Sequence, residues 1–262
     1  MKVTANGISM NYTLDGPANA PVVTLSHSLA TDLSMWDPQM PGLARYRVLR
    51  YDTRGHGATD APAGAYSLDV LADDALALLR ALGIQRTHWV GLSMGGMIGQ
   101  TIALKQPGVL ASLSLCDTSS RIPAEMRPVW EDRIKTVEAK GMEPMVEPTI
   151  ARWFTPKYIE SNRAAVDGVR AMIRSTPAQG YVGCCHAIKA LDLTDRLSAI
   201  TLPTVVIVGE EDQGTPVAAS RAIQERIKGA GLVILPSASH LSNIEQAPAF
   251  SRALGEFLAK VA

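Results

Sequence analysis

The sequence predicts an α/β fold: a mostly parallel central sheet with helices on both faces and a helical cap inserted after its middle. Three observations predict it. Short apolar runs of the kind buried on both faces alternate with helical segments. A serine stands between two glycines where one such run passes into a helix, Gly91-Leu92-Ser93-Met94-Gly95. Between Arg121 and Leu191 the alternation stops and only helical segments appear, before strands resume at Pro203.

The elements follow in order. Residues 3–5 and 8–14 flank Asn6-Gly7, a strong short hairpin signal, so the chain opens with an antiparallel pair. Asp15-Gly16-Pro17 makes a loop, and residues 21–26 form a nearly continuous apolar strand from which the sheet turns parallel. The polar turn His27-Ser28-Leu29-Ala30-Thr31-Asp32 leads into a helix carrying Leu33, Trp36 and Met40. Residues 47–52 are the next strand, followed by the turn Thr53-Arg54-Gly55-His56-Gly57. Arg54 and His56 read as buried, charge-assisted pairs that hold this turn rather than as chemistry.

Ser67 caps a helix whose Leu68, Leu71, Ala75, Leu78, Leu79 and Leu82 form one stripe, and Gly83 closes it. Residues 86–90 are a strand delivering the serine turn, 94–105 a helix ended by Gln106-Pro107-Gly108, and 110–117 a buried strand. The cap is expected over residues 121–191, with helices near 129–139, 145–154, 156–175 and 180–189, leaving 1–120 and 192–262 as the core. A strand at 203–209, a helix at 216–227, a strand at 232–235 and a helix at 248–260 complete the pattern.

Composition narrows the function. With 262 residues, 47 % hydrophobic and 19 % charged, the chain can bury one large core. Its 25 basic and 25 acidic residues cancel and form no basic run, which argues against nucleic acid or an anionic membrane as partner and for a small ligand. The first residues lack a signal-peptide core and no apolar run reaches membrane-spanning length, so a cytosolic protein with reduced thiols is expected. Cys184-Cys185-His186 has no second ligand pair at a zinc-like spacing, so these cysteines and Cys116 read as core.

The serine turn reads as a nucleophile elbow: Ser93 takes a strained backbone conformation, and Gly91 and Gly95 stand where no Cβ fits. The N–H of Met94 then lies at a helix N-terminus, where donors are unpaired and negative charge is favoured, which makes it half of an oxyanion hole. The turn beginning at His27, at the same sheet edge, is placed to supply the other half. A serine hydroxyl needs a base, most often a histidine oriented by a carboxylate. His240 follows the last strand and lies on that edge; His27 shares the edge, while His56, His88 and His186 lie elsewhere. Asp212, in Gly209-Glu210-Glu211-Asp212, is the favoured acid by chain order, with Asp117 a geometrically sensible rival.

Together the elbow through Gly96, Asp52-Thr53-Arg54-Gly55-His56-Gly57, Gly209-Glu210-Glu211-Asp212 and Ser239-His240 resemble an α/β-hydrolase over nearly the whole chain. More narrowly, the stretch from His27 to Trp36, Arg152-Trp153-Phe154-Thr155, the stretch from Gly180 to Ile188 and Asp192-Leu193-Thr194 resemble the 3-oxoadipate enol-lactonases of the protocatechuate branch of aromatic catabolism. Ser28 and Ala30 depart from the wider fold pattern, standing where many relatives have glycines. The resemblance implies cofactor-free hydrolysis, without metal, of a lactone bearing one carboxylate. Ser93, His240 and Asp212 would form the triad, and Leu29 and Met94 the oxyanion hole. Such a substrate needs a cation near the mouth. Trp130 and Arg133, three apart on a cap helix, share a face and offer an aromatic wall beside a guanidinium, with Arg152 the next candidate. A core tryptophan, with the arginine paired to Glu131 or Asp132, is the bland alternative. A general carboxylesterase, a carbon–carbon bond hydrolase or a perhydrolase could use the same triad, and a ligand receptor could keep the fold without turnover.

Overall fold

The computed structural model describes residues 1–261. The hairpin forms as its turn chemistry dictates. β1 (Lys2–Ala5) and β2 (Ile8–Asp15) pair antiparallel with Ala5 opposite Ile8, and both turn residues are left-handed, Asn6 at φ 48° and Gly7 at φ 76°. β3 (Val22–Ser26) and β4 (Arg47–Tyr51) pair parallel, and β4 also pairs antiparallel with β2. After α1 (Leu68–Ala81), β5 (Thr87–Leu92) returns to the other side of β3. α2 (Met94–Lys105) leads into β6 (Leu110–Cys116). The sheet has eight strands in the order β1-β2-β4-β3-β5-β6-β7-β8, with β7 at Thr204–Gly209 and β8 at Gly231–Leu235.

The order reverses at β3: the chain steps one way to β4, then back across to β5. Right-handed crossovers running in opposite directions lie on opposite faces, so the Leu33–Leu43 segment and α1 cover different sides of the sheet. The contacts agree, since α1 packs on α2 whereas Leu33–Leu43 packs on the C-terminal helix. A reversal of this kind opens a crevice at the carboxyl ends of the two central strands, where α/β sheets bind ligands. The turn after β3 and the turn after β5 both reach it. Trp36, Tyr51 and Trp89 are buried outright in the core.

Between Arg121 and Asp192, which form an isolated antiparallel bridge, the described residues contain no strand. The excursion comprises α3 (Arg127–Lys140), α4 (Val146–Trp153), α5 (Pro156–Ser161), α6 (Arg163–Ser175) and α7 (Ala178–Lys189). α3 packs on α7, and α4 on α6. Its neck is narrow. The N–H of Ile122 donates to Leu191 O (3.0 Å) and that of Leu193 to Ser120 O (2.7 Å). α8 (Val217–Arg226), α9 (Ser242–Glu245) and α10 (Ala247–Val261) complete the chain.

Three elements differ from expectation. The helix expected after residue 32 is a 3-10 segment, because Pro38 and Pro41 lack the N–H donors an α-helix needs. The single helix expected over 156–175 breaks at Asn162, whose side chain bonds locally to Ser161 Oγ and whose backbone leaves the helical region. Arg54 forms the expected buried charge-assisted pair, with Asp74 of α1, but His56 does not: its Nε2 accepts the N–H of Ala30. The Arg54 Nε and Nη2 meet the two Asp74 oxygens at 2.6 Å, with both side chains buried.

Candidate active site

The elbow is built as its glycines require. Ser93 sits at φ 55° and ψ −114°, between the end of β5 and the first turn of α2. A Cβ at Gly91 would lie 2.1 Å from Gly95 O, and one at Gly95 would lie 2.1 Å from Ser26 O. Both positions are closed to any side chain. The Ser93 N–H is tied to Cys116 O of β6 at 2.8 Å, and its carbonyl accepts from Thr118 Oγ1 at 2.7 Å. The strained residue is thus overdetermined by its neighbours.

His240 and Asp212 arrive from the ends of β8 and β7. His240 Nε2 stands 3.0 Å from Ser93 Oγ, and His240 Nδ1 stands 2.8 Å from Asp212 Oδ2. An ionised carboxylate can only accept, so Nδ1 carries the proton and the neutral ring presents Nε2 to the serine O–H. Asp212 Oδ1 accepts from the N–H of Gly214 (2.7 Å) and of Thr215 (2.9 Å), and Oδ2 accepts from Thr215 Oγ1 (2.7 Å). Burial pushes the Asp212 carboxyl up, but His240 beside it and the Thr215 donors outweigh burial and hold it below the usual carboxylate range. The Trp153 ring lies 5.9 Å from the imidazole, walling it on one side.

Asp117 faces elsewhere. Its Oδ1 accepts from the N–H of Gly209 at 2.8 Å, and its Oδ2 accepts from Ser242 Oγ at 2.5 Å. Burial, with Asp212 nearby, pushes its carboxyl well above the usual range. It braces the turns that carry the other two residues.

Ser93 and His240 open into a cavity of about 380 Å³ that also meets Leu29, Trp130, Arg133 and Arg152. Met94 is the first residue of α2, and neither its N–H nor that of Leu29 has an acceptor among the described residues. Ala30 takes the left-handed conformation at φ 59°. Arg133 lies over the Trp130 ring with its guanidinium carbon 4.5 Å from the centroid. Glu131 pairs with Lys189 instead, and among the described residues neither Arg133 nor Arg152 meets a carboxylate. Burial, then the Arg133 guanidinium, push Arg152 down to about 10. Two cations thus face one cavity without a counter-ion. Cys184 and Cys185 are buried free thiols in α7.

Thr215, Trp153 and Tyr181 also shape the site, and sequence reading assigned none of them a role. Thr215 was legible in principle, because a residue three beyond a loop aspartate is placed to donate back to it, as at a helix N-cap. Trp153 and Tyr181 were not, since their approach depends on how the cap docks.

A family model described as alpha/beta hydrolase fold matches residues 21–247. 3-Oxoadipate enol-lactonase 2 of Acinetobacter baylyi is 36% identical over 253 residues, covering 96% of this chain and 94% of the relative. The crystal structure of an enol-lactonase from Burkholderia xenovorans superposes with a TM-score of 0.96 at 39% identity, covering 99% of this chain and 100% of that one. A thermophilic esterase from Thermogutta terrifontis, with malate bound, superposes at 0.94 with 29% identity, covering 100% of this chain and 98% of that one. No helix among the described residues is long and apolar enough to cross a membrane.

Proposed function

The chain belongs to the alpha/beta hydrolase family, and from that premise we propose that it is an enol-lactonase that opens a carboxylate-bearing enol-lactone, 3-oxoadipate enol-lactone, to the oxo-dicarboxylate. The observation that carries this reading is the pair of guanidiniums, Arg133 and Arg152, that meet no carboxylate among the described residues, on the cap side of the cavity that holds Ser93. Leaving two cations half-buried without an anion is unfavourable, so the site favours a ligand that brings one. The enol-lactonase relatives support the substrate class, and malate, bound to the Thermogutta esterase, is itself a dicarboxylate.

In this mechanism His240 Nε2 takes the proton of Ser93 as the oxygen attacks the lactone carbonyl, and Asp212 stabilises the imidazolium. The N–H groups of Leu29 and Met94 receive the oxyanion, a contribution of about 3 kcal/mol per donor. Collapse breaks the ring C–O bond, and His240 passes its proton to the departing enol oxygen. That oxygen stays tethered to the acyl chain, so reclosure is intramolecular and fast until the enol tautomerises to the ketone. With the nucleophile gone, His240 activates water to hydrolyse the Ser93 ester. Arg133 and Arg152 hold the substrate carboxylate throughout.

The test compares two substrates. Arg133→Ala and Arg152→Ala are expected to lower kcat/KM for the enol-lactone by about 10- to 100-fold, the worth of a charge-assisted hydrogen bond. An uncharged short-chain ester should change by no more than about twofold. Equal losses on both substrates overturn the carboxylate role and favour a general carboxylesterase. Labelling of Ser93 by a serine-reactive phosphonate separates any of these enzymes from a receptor that has kept only the fold.

A further inference from the structure

Behind the turn that follows β3, one carbonyl receives an unusual share of hydrogen bonds. Ser28 O accepts from His27 Nδ1 at 2.7 Å, from Thr31 Oγ1 at 2.9 Å and, at 3.4 Å, from the Thr31 N–H; the Thr31 hydroxyl also lies 3.0 Å from Met35 Sδ, a weaker acceptor. The tautomer of His27 is set from the far side of the ring, where Nε2 accepts the N–H of Thr53 at 2.8 Å. A neutral imidazole has one N–H, so it must be on Nδ1 and must donate to Ser28 O. Burial pushes the His27 imidazole below its ordinary value despite Asp52 and Asp32, which keeps Nε2 free to accept.

Ser28 O and the N–H of Leu29 belong to the same peptide. A trans peptide is planar, with C=O and N–H pointing in opposite directions. Anchoring the carbonyl against His27 and Thr31 therefore aims the Leu29 N–H away from them. Leu29 and Ala30 line the cavity there, and that N–H has no acceptor among the described residues. Donors on the carbonyl also draw electron density from the amide nitrogen, which makes its N–H a stronger donor. The next peptide is held too, since the N–H of Ala30 donates to His56 Nε2 at 2.9 Å. A second buried imidazole thus supports the left-handed conformation that Ala30 lacks a glycine's freedom to adopt.

We propose that His27 and Thr31 are positioning residues of the oxyanion hole, which aim and polarise the Leu29 N–H through the Ser28–Leu29 peptide. Neither touches the substrate. The proposal rests on Leu29 being the second oxyanion donor, but not on which ester is hydrolysed. An uncharged ester is therefore the substrate of choice, with a boronic acid as the tetrahedral mimic.

Thr31→Val removes one donor to Ser28 O and keeps the side-chain shape. It is expected to lower kcat about tenfold, leave KM within twofold, and weaken boronic-acid inhibition by the same factor as kcat, because the interaction grows only in the transition state. For His27 two replacements divide the ring's functions. Asn places its amide donor near the Nδ1 position, whereas Gln reaches the Nε2 position and can accept from Thr53 but offers nothing to Ser28 O. His27→Gln is expected to lose about a hundredfold in kcat, the scale of one oxyanion donor, and His27→Asn to recover most of that loss. Their thermal midpoints should drop together.

A residue that merely fills the core would make kcat follow the folded fraction, equally for Asn and Gln; that result overturns the proposal. So does Thr31→Val with unchanged boronic-acid affinity. A Ser93→Ala control distinguishes the two levels. If that variant retains turnover, the serine mechanism itself fails, and the proposal with it. If it is inactive while Thr31→Val matches the parent, the proposal alone fails.

Discussion

Asp117 and Asp212 stand beyond the ends of adjacent strands, and the chemistry of their partners separates them. Asp212 accepts from His240 Nδ1 and from the Gly214 and Thr215 donors, so it is kept ionised. Asp117 is buried with one backbone donor and one hydroxyl, and its carboxyl is pushed well above the usual range. Asp212→Asn should therefore lower kcat by about 10³- to 10⁴-fold in a protein that still folds, because the amide favours the wrong imidazole tautomer. Asp117→Asn should keep turnover within about threefold and cost less than ~1 kcal/mol, since its amide can accept from Gly209 and donate to Ser242 Oγ. Circular dichroism with an ester assay on both variants decides the matter, and loss of turnover in the folded Asp117 variant alone would reverse the roles. At this scale the sequence was most legible where a residue's duty follows from local backbone geometry. Ser93 needs its flanking glycines, and His240 and Asp212 follow strands that end at one edge. Asp74 as the partner of Arg54 was not legible, because that pair joins α1 to a turn twenty residues earlier through the tertiary fold.

Among the elements, α7 ties the cap to the core by the closest backbone approach, while residues 152–158 add hydrogen bonds to residues 239–245. A Cβ on Gly180 would lie 2.1 Å from Gly55 O, and one on Gly183 would lie 2.7 Å from the Tyr66 ring. Hydrogen bonds from the Tyr66 N–H to Gly183 O (3.1 Å) and from Gln179 to Ala61 O fasten the same contact. Tyr181 and Ile188 of the same helix line the cavity, so the glycine contact sets how deep the pocket is. Gly180→Ala should destabilise the protein by about 1–3 kcal/mol, since backbone meets backbone and neither side can yield cheaply. Gly168→Ala in α6 is the matched control. It has open space around it and no left-handed backbone, so it should stabilise by about 0.5–1 kcal/mol. Urea titration of the two variants checks both signs, and two equal shifts would remove the argument from close approach. The existence of these helices could be read from their periodicity. Their packing could not, because a glycine in a helix looks the same whether it faces solvent or another backbone. The break at Asn162 was hidden for a related reason: the apolar spacing runs on while a side-chain hydrogen bond ends the helix.

For the molecule as a whole, alternating strands and helices made a mostly parallel sheet with a site at one edge legible in the sequence, whereas the strand order, with its reversal at β3, depends on pairings that alternation does not fix. The burial of histidine was also less legible. Four of the five, at 27, 56, 88 and 240, are buried, and the turns around Leu29 use two as neutral acceptors. Burial, with His27 beside it, pushes His56 down to about 3, and burial also lowers His27 and His88. In the unfolded chain these imidazoles take up protons near pH 6.5. Below that value the unfolded state binds more protons than the folded one, so stability falls as pH falls, and for His56 the loss continues until about pH 3. At pH 5 His56 alone should cost about 2 kcal/mol relative to pH 7.5. Asp212 works lower down: its stabilisation is complete above the unfolded carboxylate value near ~3.9 and is lost only as pH drops through its depressed folded value. Between about pH 6.5 and about pH 5 Asp212 stays silent, and the raised Asp117 carboxyl, which acts with the opposite sign, is common to parent and variant, so comparing the two isolates the imidazole. His56→Gln should be less stable than the parent at pH 7.5 yet show a flatter decline in denaturation midpoint across that interval. Parallel slopes would mean that His56 is protonated in the folded state and that its acceptor role toward Ala30 is wrong.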